Sequence, residues 1–563
     1  MTTIDTRPDA ADPALDDSRR GAGSIAAFFV GAGAWVTTTD HKRIGRIYVG
    51  FALVALLAVT VLATLLGIER ADDSGVFLDS GALLQLFQVY RVGLVFAVAA
   101  PLGIGLAIAV VPLQLGARSL AFPRVALTGC YAWLAGLTLT MVALGGNGGF
   151  GGGDARMVDL FLAGHGLMIL GLTASAATVA TSVLTTRAPG MTMRRVPLFS
   201  LASMIGAIGV LLSLPVVFGM VVYLYLDHHY AQLNFGGSEG IATWMGWAYT
   251  VPLVVVFALP AAGVAAELFP VTFRARQARR GVAFAGLALL AVTSLAAITH
   301  QSSFSLSLDT DQSTGDFLRD AVPFLIFDGL PLLGMLVVMG LGALTARQGF
   351  GAGRPKVTAG FLFSFLGLGL IAAGLAGNLL LGIDDLELVG TVFEEGATVF
   401  VVYGAVLAVL GGLVFWAPKL WGRTLADLKV MPLALLGAAA TVLAAGSYYV
   451  AGFADQTGGV PASAADVAAM LSLDYSGPSE LWNVLALVGH GLMALTVVAV
   501  AGLMLSTFTG RSASADANPS GGQTIEWSTT SPAPAGNYEQ VPTITSAEPL
   551  LDETPSDATE EAR

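Results

Sequence analysis

Apolar residues run along this chain in blocks too long and too unbroken for a soluble core. Twelve blocks reach the roughly 20 residues that cross a bilayer as a helix. They lie at about 45–69, 84–113, 124–146, 157–185, 199–226, 244–268, 281–300, 321–346, 357–383, 392–417, 430–453 and 481–508. Gly and Pro recur inside them, which membrane helices tolerate and which allows close helix packing. The pattern predicts an all-α polytopic membrane protein of twelve transmembrane helices. Residues 1–34 read as an N-terminal extension, with a short apolar piece from Ile25 to Val30 resting at the membrane surface. The first 25 residues lack the apolar core and cleavage site of a signal peptide. From about Ser512 the residues are mostly Ser, Thr, Pro, Ala and acids, without apolar periodicity. The division is an extension 1–34, a membrane domain 35–511 and a disordered acidic tail 512–563, for which docking is the alternative to a solvated end.

Composition supports the bilayer as the principal partner: 55% of residues are apolar and 12% charged, with a mean hydropathy of +0.75. The net charge of −12 comes largely from outer loops and the tail, and it gives no reason to expect a nucleic-acid partner. Cys130 is the single cysteine, in an apolar run, and reads as a small core residue. Loop charges give the sidedness. Arg118 and Arg124, Arg187, Arg194 and Arg195, Arg274, Arg276, Arg279 and Arg280, Arg347, Arg354 and Lys356, and Lys419, Arg423 and Lys429 all fall on alternate loops. The opposite loops carry Arg70, Arg156 and Arg319 among many acids, so both termini are expected on the cytoplasmic side.

Four motifs add a resemblance. Trp35-Val36-Thr37-Thr38-Thr39-Asp40-His41-Lys42-Arg43-Ile44-Gly45 leads into the first helix, and Pro112-Leu113-Gln114-Leu115-Gly116 through Ala121-Phe122-Pro123-Arg124 follows the second. Arg187-Ala188-Pro189-Gly190-Met191 follows the fourth, and Phe415-Trp416-Ala417-Pro418-Lys419 ends the tenth. In this order, over about residues 35–508, the chain resembles subunit I of the heme-copper terminal oxidases, the cytochrome c oxidase family. The resemblance implies a multi-pass prokaryotic plasma-membrane protein of the aerobic respiratory chain. It also implies two hemes and one copper, held by six histidines on four helices, with other oxidase subunits as partners.

Position by position, that chemistry is missing. On helix two, Tyr90 stands where the family has a heme-ligand histidine. Counting back from Phe415-Trp416 puts Gly396 and Thr398 on the other two heme-ligand positions. On helix six, Val251 replaces a copper-ligand histidine, Leu253 a proton-pathway glutamate and Val255 a catalytic tyrosine. The His–His pair of helix seven becomes His300-Gln301, leaving His300 as a vestigial ligand. The pathway lysine of helix eight falls at Met335, and Ser119, Ile108-Ala109 and Ala462-Ser463 replace further polar family residues. Aliphatic groups cannot substitute for imidazole at iron or copper, and a Tyr90 ligand would first have to lose a proton of pKa about 10. No cofactor and no catalytic residue is predicted.

The remaining histidines have plainer readings. His41 belongs to the inner surface, and His228-His229 read as a solvated outer-loop pair, with a metal site as the alternative. His165 and His490, each in a Gly-His-Gly sequence, are expected to bond a backbone carbonyl. Arg91, next to Tyr90, needs a counter-charge inside the membrane. Glu394 and Glu395 on helix ten are the expected partners, in a cross-link that takes the place of heme. The expected role is a non-catalytic assembly, stabilising or regulatory partner. The alternatives are a functioning terminal oxidase subunit (electron transfer, oxygen reduction, proton pumping) and a transporter or channel using Arg91, Asp328, Glu394 and Glu395.

Overall fold

The computed structural model describes residues 33, 35–71, 80–246, 251–299, 304–308, 312–350, 354–456, 458, 478–509, 514–541 and 544–553. Among them, eleven helices are long and apolar enough to cross a membrane. In chain order the membrane helices are α1 His41–Ala71, α2 Gln85–Gln114, α3 Pro123–Gly145, α4 Ala155–Thr185, α5 Leu198–His229 and α6 Val251–Phe273. They continue as α7 Arg280–Leu290, α8 Thr314–Gly349, α9 Ala359–Leu381, α10 Phe393–Trp421, α11 Asp427–Phe453 and α12 Ser479–Thr509.

The twelfth expected span is α7, and it is not a regular helix. Its α-helical part stops at Leu290 and the chain continues as a 3-10 helix, Ala291–Thr299. A 3-10 turn rises about 2.0 Å per residue against about 1.5 Å for an α-helix, so the two parts together reach roughly 34 Å, enough to cross the hydrocarbon layer. The Thr293 and Ser294 hydroxyls donate to the carbonyls of Leu290 and Ala291 at 3.2 and 2.7 Å, back-bonding three residues down this tightened segment.

Polar residues just outside the apolar blocks set where helices begin. Asp40 accepts the Lys42 N–H at 3.0 Å, Asp154 accepts those of Arg156 and Met157 at 3.0 Å, and Thr358 accepts that of Phe361 at 3.3 Å. α2, α6 and α10 are apolar on every side and lie enclosed at the centre, whereas the other helices present an outer side. α9 and α10 approach closely because Gly367 and Gly404 face each other's backbones. A Cβ on Gly367 would stand 2.4 Å from the Gly404 carbonyl oxygen.

The Arg/Lys-bearing loops share one end of the bundle. There Ala188 N–H donates to Leu115 O at 2.9 Å, and the Arg280 side chain donates to Arg194 O at 3.2 Å. The same end corrects the expectation of a disordered tail, because residues 514–541 and 544–553 lie across the helix ends. Ile525, Glu526, Trp527, Tyr538 and Ile544 are buried. Asn537 donates to Ala117 O at 2.8 Å and accepts from Lys42 Nζ at 2.8 Å, and Ala533 N–H donates to Lys419 O at 3.1 Å. The segment escapes a search for apolar periodicity because it docks largely as extended chain, through widely spaced aromatic and aliphatic anchors.

Candidate functional site

The three central helices carry four of the six ligand positions that the resemblance implies, Tyr90 on α2, Val251 on α6, and Gly396 and Thr398 on α10. Tyr90 on α2 is buried, with its ring edge-on to His490 of α12 at 6.3 Å and its hydroxyl without a hydrogen-bond partner. The Thr398 hydroxyl of α10 turns back onto the Glu394 carbonyl at 3.1 Å. Gly396 lies flat against α11, where a Cβ would meet Tyr449 Cδ1 at 2.8 Å and the Ala445 carbonyl oxygen at 2.9 Å. Any larger side chain there has to displace α11. Val255 and Met335 are buried core residues. Val251 and Leu253 open α6, with side chains outside the described set. His300, Gln301, Ala462 and Ser463 lie outside the described residues.

A polar cluster stands around Tyr90. Arg70, at the last turn of α1, forms an ion pair with Glu395 of α10 at 3.0 Å, and their side chains are only 5% and 7% exposed. The Arg70 guanidinium lies 4.8 Å from the Phe87 ring centroid and 5.5 Å from that of Tyr448, which adds cation–π attraction from α2 and α11. The Tyr448 hydroxyl is 3.3 Å from His490 Nε2, and the Tyr403 hydroxyl is 2.8 Å from His490 Nδ1. Asn483 of α12 donates to the Arg70 carbonyl at 3.0 Å and accepts from Gln456 at 2.9 Å. Five helices (α1, α2, α10, α11 and α12) are thereby tied at one point.

This geometry corrects two expectations. The interior cation on Glu395 is Arg70, not Arg91. Neighbouring residues on a helix point about 100° apart, so the turn that aims Tyr90 at His490 aims Arg91 elsewhere. Arg91 is buried, its Nε has no hydrogen-bond partner, and it makes no ion pair among the described residues. The same rotation separates the two glutamates, and Glu394 accepts the Gly390 N–H at 3.0 Å. Nor does His490 bond a backbone carbonyl, because two tyrosine hydroxyls take its ring nitrogens. Arg70 was missed because charge counting assigned it to a loop, whereas α1 continues to Ala71 and folds it inward.

The other histidines sort by surroundings. His165 lies between the rings of Phe96 and Phe161, at 4.8 and 5.7 Å. His41 contacts the Ile108 carbonyl at 3.1 Å and the Asn537 side chain. His228 and His229 are not simply solvated, since the Nδ1 of each lies 2.8 Å from a different oxygen of Asp159 on α4.

At the heme-ligand positions that the resemblance implies, Tyr90, Gly396 and Thr398 offer no imidazole and do not fit a heme. Among the described residues no group of three or more His, Cys, Asp or Glu could hold a metal. The cavity between α2, α4, α5 and α6, lined by Gly103, Ala107, Ser203, Val256 and Pro260, measures about 20 Å³. That is room for about one water.

Comparison with known proteins places this bundle. The family described as "Cytochrome C and Quinol oxidase polypeptide I" matches residues 43–489. The chain belongs to that family. Curated relatives span nearly its whole length. It is 28% identical over 550 residues to the putative cytochrome c oxidase subunit 1-beta of Streptomyces avermitilis, covering 92% of this chain and 91% of that one. It is 28% identical over 538 residues to the probable subunit 1-beta of Nocardia farcinica, covering 92% and 87%, respectively. To the cytochrome c oxidase subunit 1 of Corynebacterium diphtheriae it is 27% identical over 555 residues, covering 92% of both chains. As a subunit I-like member of this family, the chain is a multi-pass helical membrane protein, and its central helices are the enclosed ones.

Proposed function

We propose that this chain is a cytochrome c oxidase subunit I-like protein that carries no heme or copper and acts as a non-catalytic assembly, stabilising or regulatory partner of a respiratory oxidase. It would sit in the bacterial plasma membrane with both termini cytoplasmic. The observation that carries this reading is the Arg70–Glu395 pair with Tyr403, Tyr448 and His490, built around Tyr90, one of the positions where the resemblance implies a ligand histidine. A buried ion pair with further hydrogen bonds links helices much as a shared prosthetic group would, but it offers no electron acceptor. The distribution of Arg and Lys on one end of the bundle supports the orientation.

A reduced-minus-oxidised visible spectrum of the purified protein, with metal analysis, tests the reading. The expected result is no heme bands and sub-stoichiometric iron and copper. Stoichiometric heme would overturn it in favour of a working terminal oxidase subunit, which the family match by itself supports. Co-purification with other oxidase subunits supports the partner role. Isolation alone, with thermal stabilisation by a small solute, would instead support transport through an interior carrying Arg91 and Asp328.

A further inference from the structure

Residues 514–553 are held to the basic end of the bundle by two kinds of contact. The first is deep. The Glu526 carboxylate, fully enclosed, accepts from Gln114 Nε2 of α2 at 3.2 Å, Trp416 Nε1 of α10 at 3.1 Å and the Thr524 hydroxyl at 2.8 Å. Trp527 packs on Phe415 with ring centroids 4.8 Å apart, and the Tyr538 hydroxyl donates to the Leu113 carbonyl. Gln523 donates to the Pro270 carbonyl at 3.0 Å. These contacts are out of reach of salt.

The second is shallower and mainly ionic, though the Arg280 and Glu548 side chains are only 18% and 10% exposed and Leu550 N–H donates to Gln523 O at 3.2 Å. Glu548 pairs with Arg280 at 3.0 Å and with Arg276 at 3.7 Å, and Asp552 pairs with Arg276. The Arg276 side chain is 56% exposed and that of Asp552 31%, so these charges are screened by ions. Arg280 stands ready whether or not the tail is present, because the Arg194 and Val196 carbonyls also accept from its guanidinium. Beneath the latch lies a polar pocket of about 10 Å³ lined by Glu267, Gln277, Arg280, Gln523 and Glu548. The Oε1 atoms of Gln277 and Gln523 have no hydrogen-bond partner.

We propose that Arg276 and Arg280 form an anion-docking surface for carboxylate or phosphate groups, covered reversibly by the chain's own residues 548–553 while residues 523–541 and the buried Ile544 stay anchored. Releasing the latch uncovers two arginines at the basic end of the bundle and opens the pocket beneath to water. The anchor keeps the released end within reach for recapture, so the surface switches without loss of the fold. The occupant is this chain's own acidic end, by charge complementarity and by direct pairing.

Digestion of the full-length Glu539→Gln variant with a glutamate-specific protease tests this: Glu548 precedes Pro549 and is not cut, which leaves sites after Glu526 in the anchor and after Glu553 at the end of the latch. Rates are normalised to those of a free peptide of the same sequence in each buffer. At low salt both sites are expected to be protected. High sodium chloride, or inorganic phosphate added at constant ionic strength, should speed cleavage after Glu553 about fivefold and leave Glu526 protected. Arg276→Gln, at an exposed position, should give the faster rate at low salt and abolish the phosphate response. Equal cutting after Glu526 and Glu553 in low salt would overturn the proposal. So would a Glu553 rate indifferent to salt and to Arg276→Gln, or a phosphate effect no larger than that of chloride.

Discussion

Arg70 and Glu395 face each other at 3.0 Å, almost fully enclosed, and that makes each dependent on the other. Removing one partner of such a pair leaves a charge stranded in a medium that cannot solvate it, at a cost of about 3–5 kcal/mol, whereas replacing both by apolar groups is often neutral. Glu395→Ala is therefore expected to lower the thermal unfolding midpoint strongly, with Arg70→Met in the same chain restoring most of it. If the double variant is as unstable as the single one, the pair is not the cross-link. At this scale the identities of Tyr90, Gly396 and Thr398 are legible as letters, and the resemblance alone makes them ligand positions. The sequence did not show which cation meets Glu395. Arg70 and Arg91 are indistinguishable as letters, and only the rotation of α2 and the extent of α1 separate them.

At the scale of elements, apolar runs located the membrane helices well, because hydropathy over a run of about 20 residues is a local property. The change of α7 to 3-10 geometry after Leu290 escaped notice, since 3-10 and α turns share nearly the same residue preferences. The C-terminal segment is the larger correction. Burial pushes the Glu526 carboxyl above the ordinary carboxylate value, against the hydrogen bonds that its oxygen accepts from Trp416, Gln114 and Thr524. The docked segment thus keeps its proton over a pH interval in which an undocked one has lost it. Docking is strongest below the undocked value and weakens as pH rises through the raised one. The unfolding midpoint should fall with rising pH across that interval, and less steeply in Glu526→Gln. Identical slopes in the two proteins would remove Glu526 as the cause.

Over the whole molecule, loops rich in Arg and Lys gather at one end with the docked C-terminal segment, and acidic loops such as Asp384–Leu386 lie at the other. The proposed orientation predicts a labelling pattern. Cys130, the native cysteine, is buried. A membrane-impermeant maleimide should label Glu387→Cys in intact cells and Ser514→Cys only after permeabilisation. The opposite pattern would invert the topology.

Sequence by itself determined the membrane class, the approximate spans and the family resemblance. Each of these is carried by residue identity or by short-range pattern. Tertiary structure alone decided that Arg70 rather than Arg91 neutralises Glu395, that His490 is held between Tyr403 and Tyr448, and that an acid-rich C-terminal segment of low apolar periodicity docks on the basic end. Those outcomes join residues separated by many tens to hundreds of positions, so they depend on helix rotation and on which charges share an enclosed space. No local pattern encodes either.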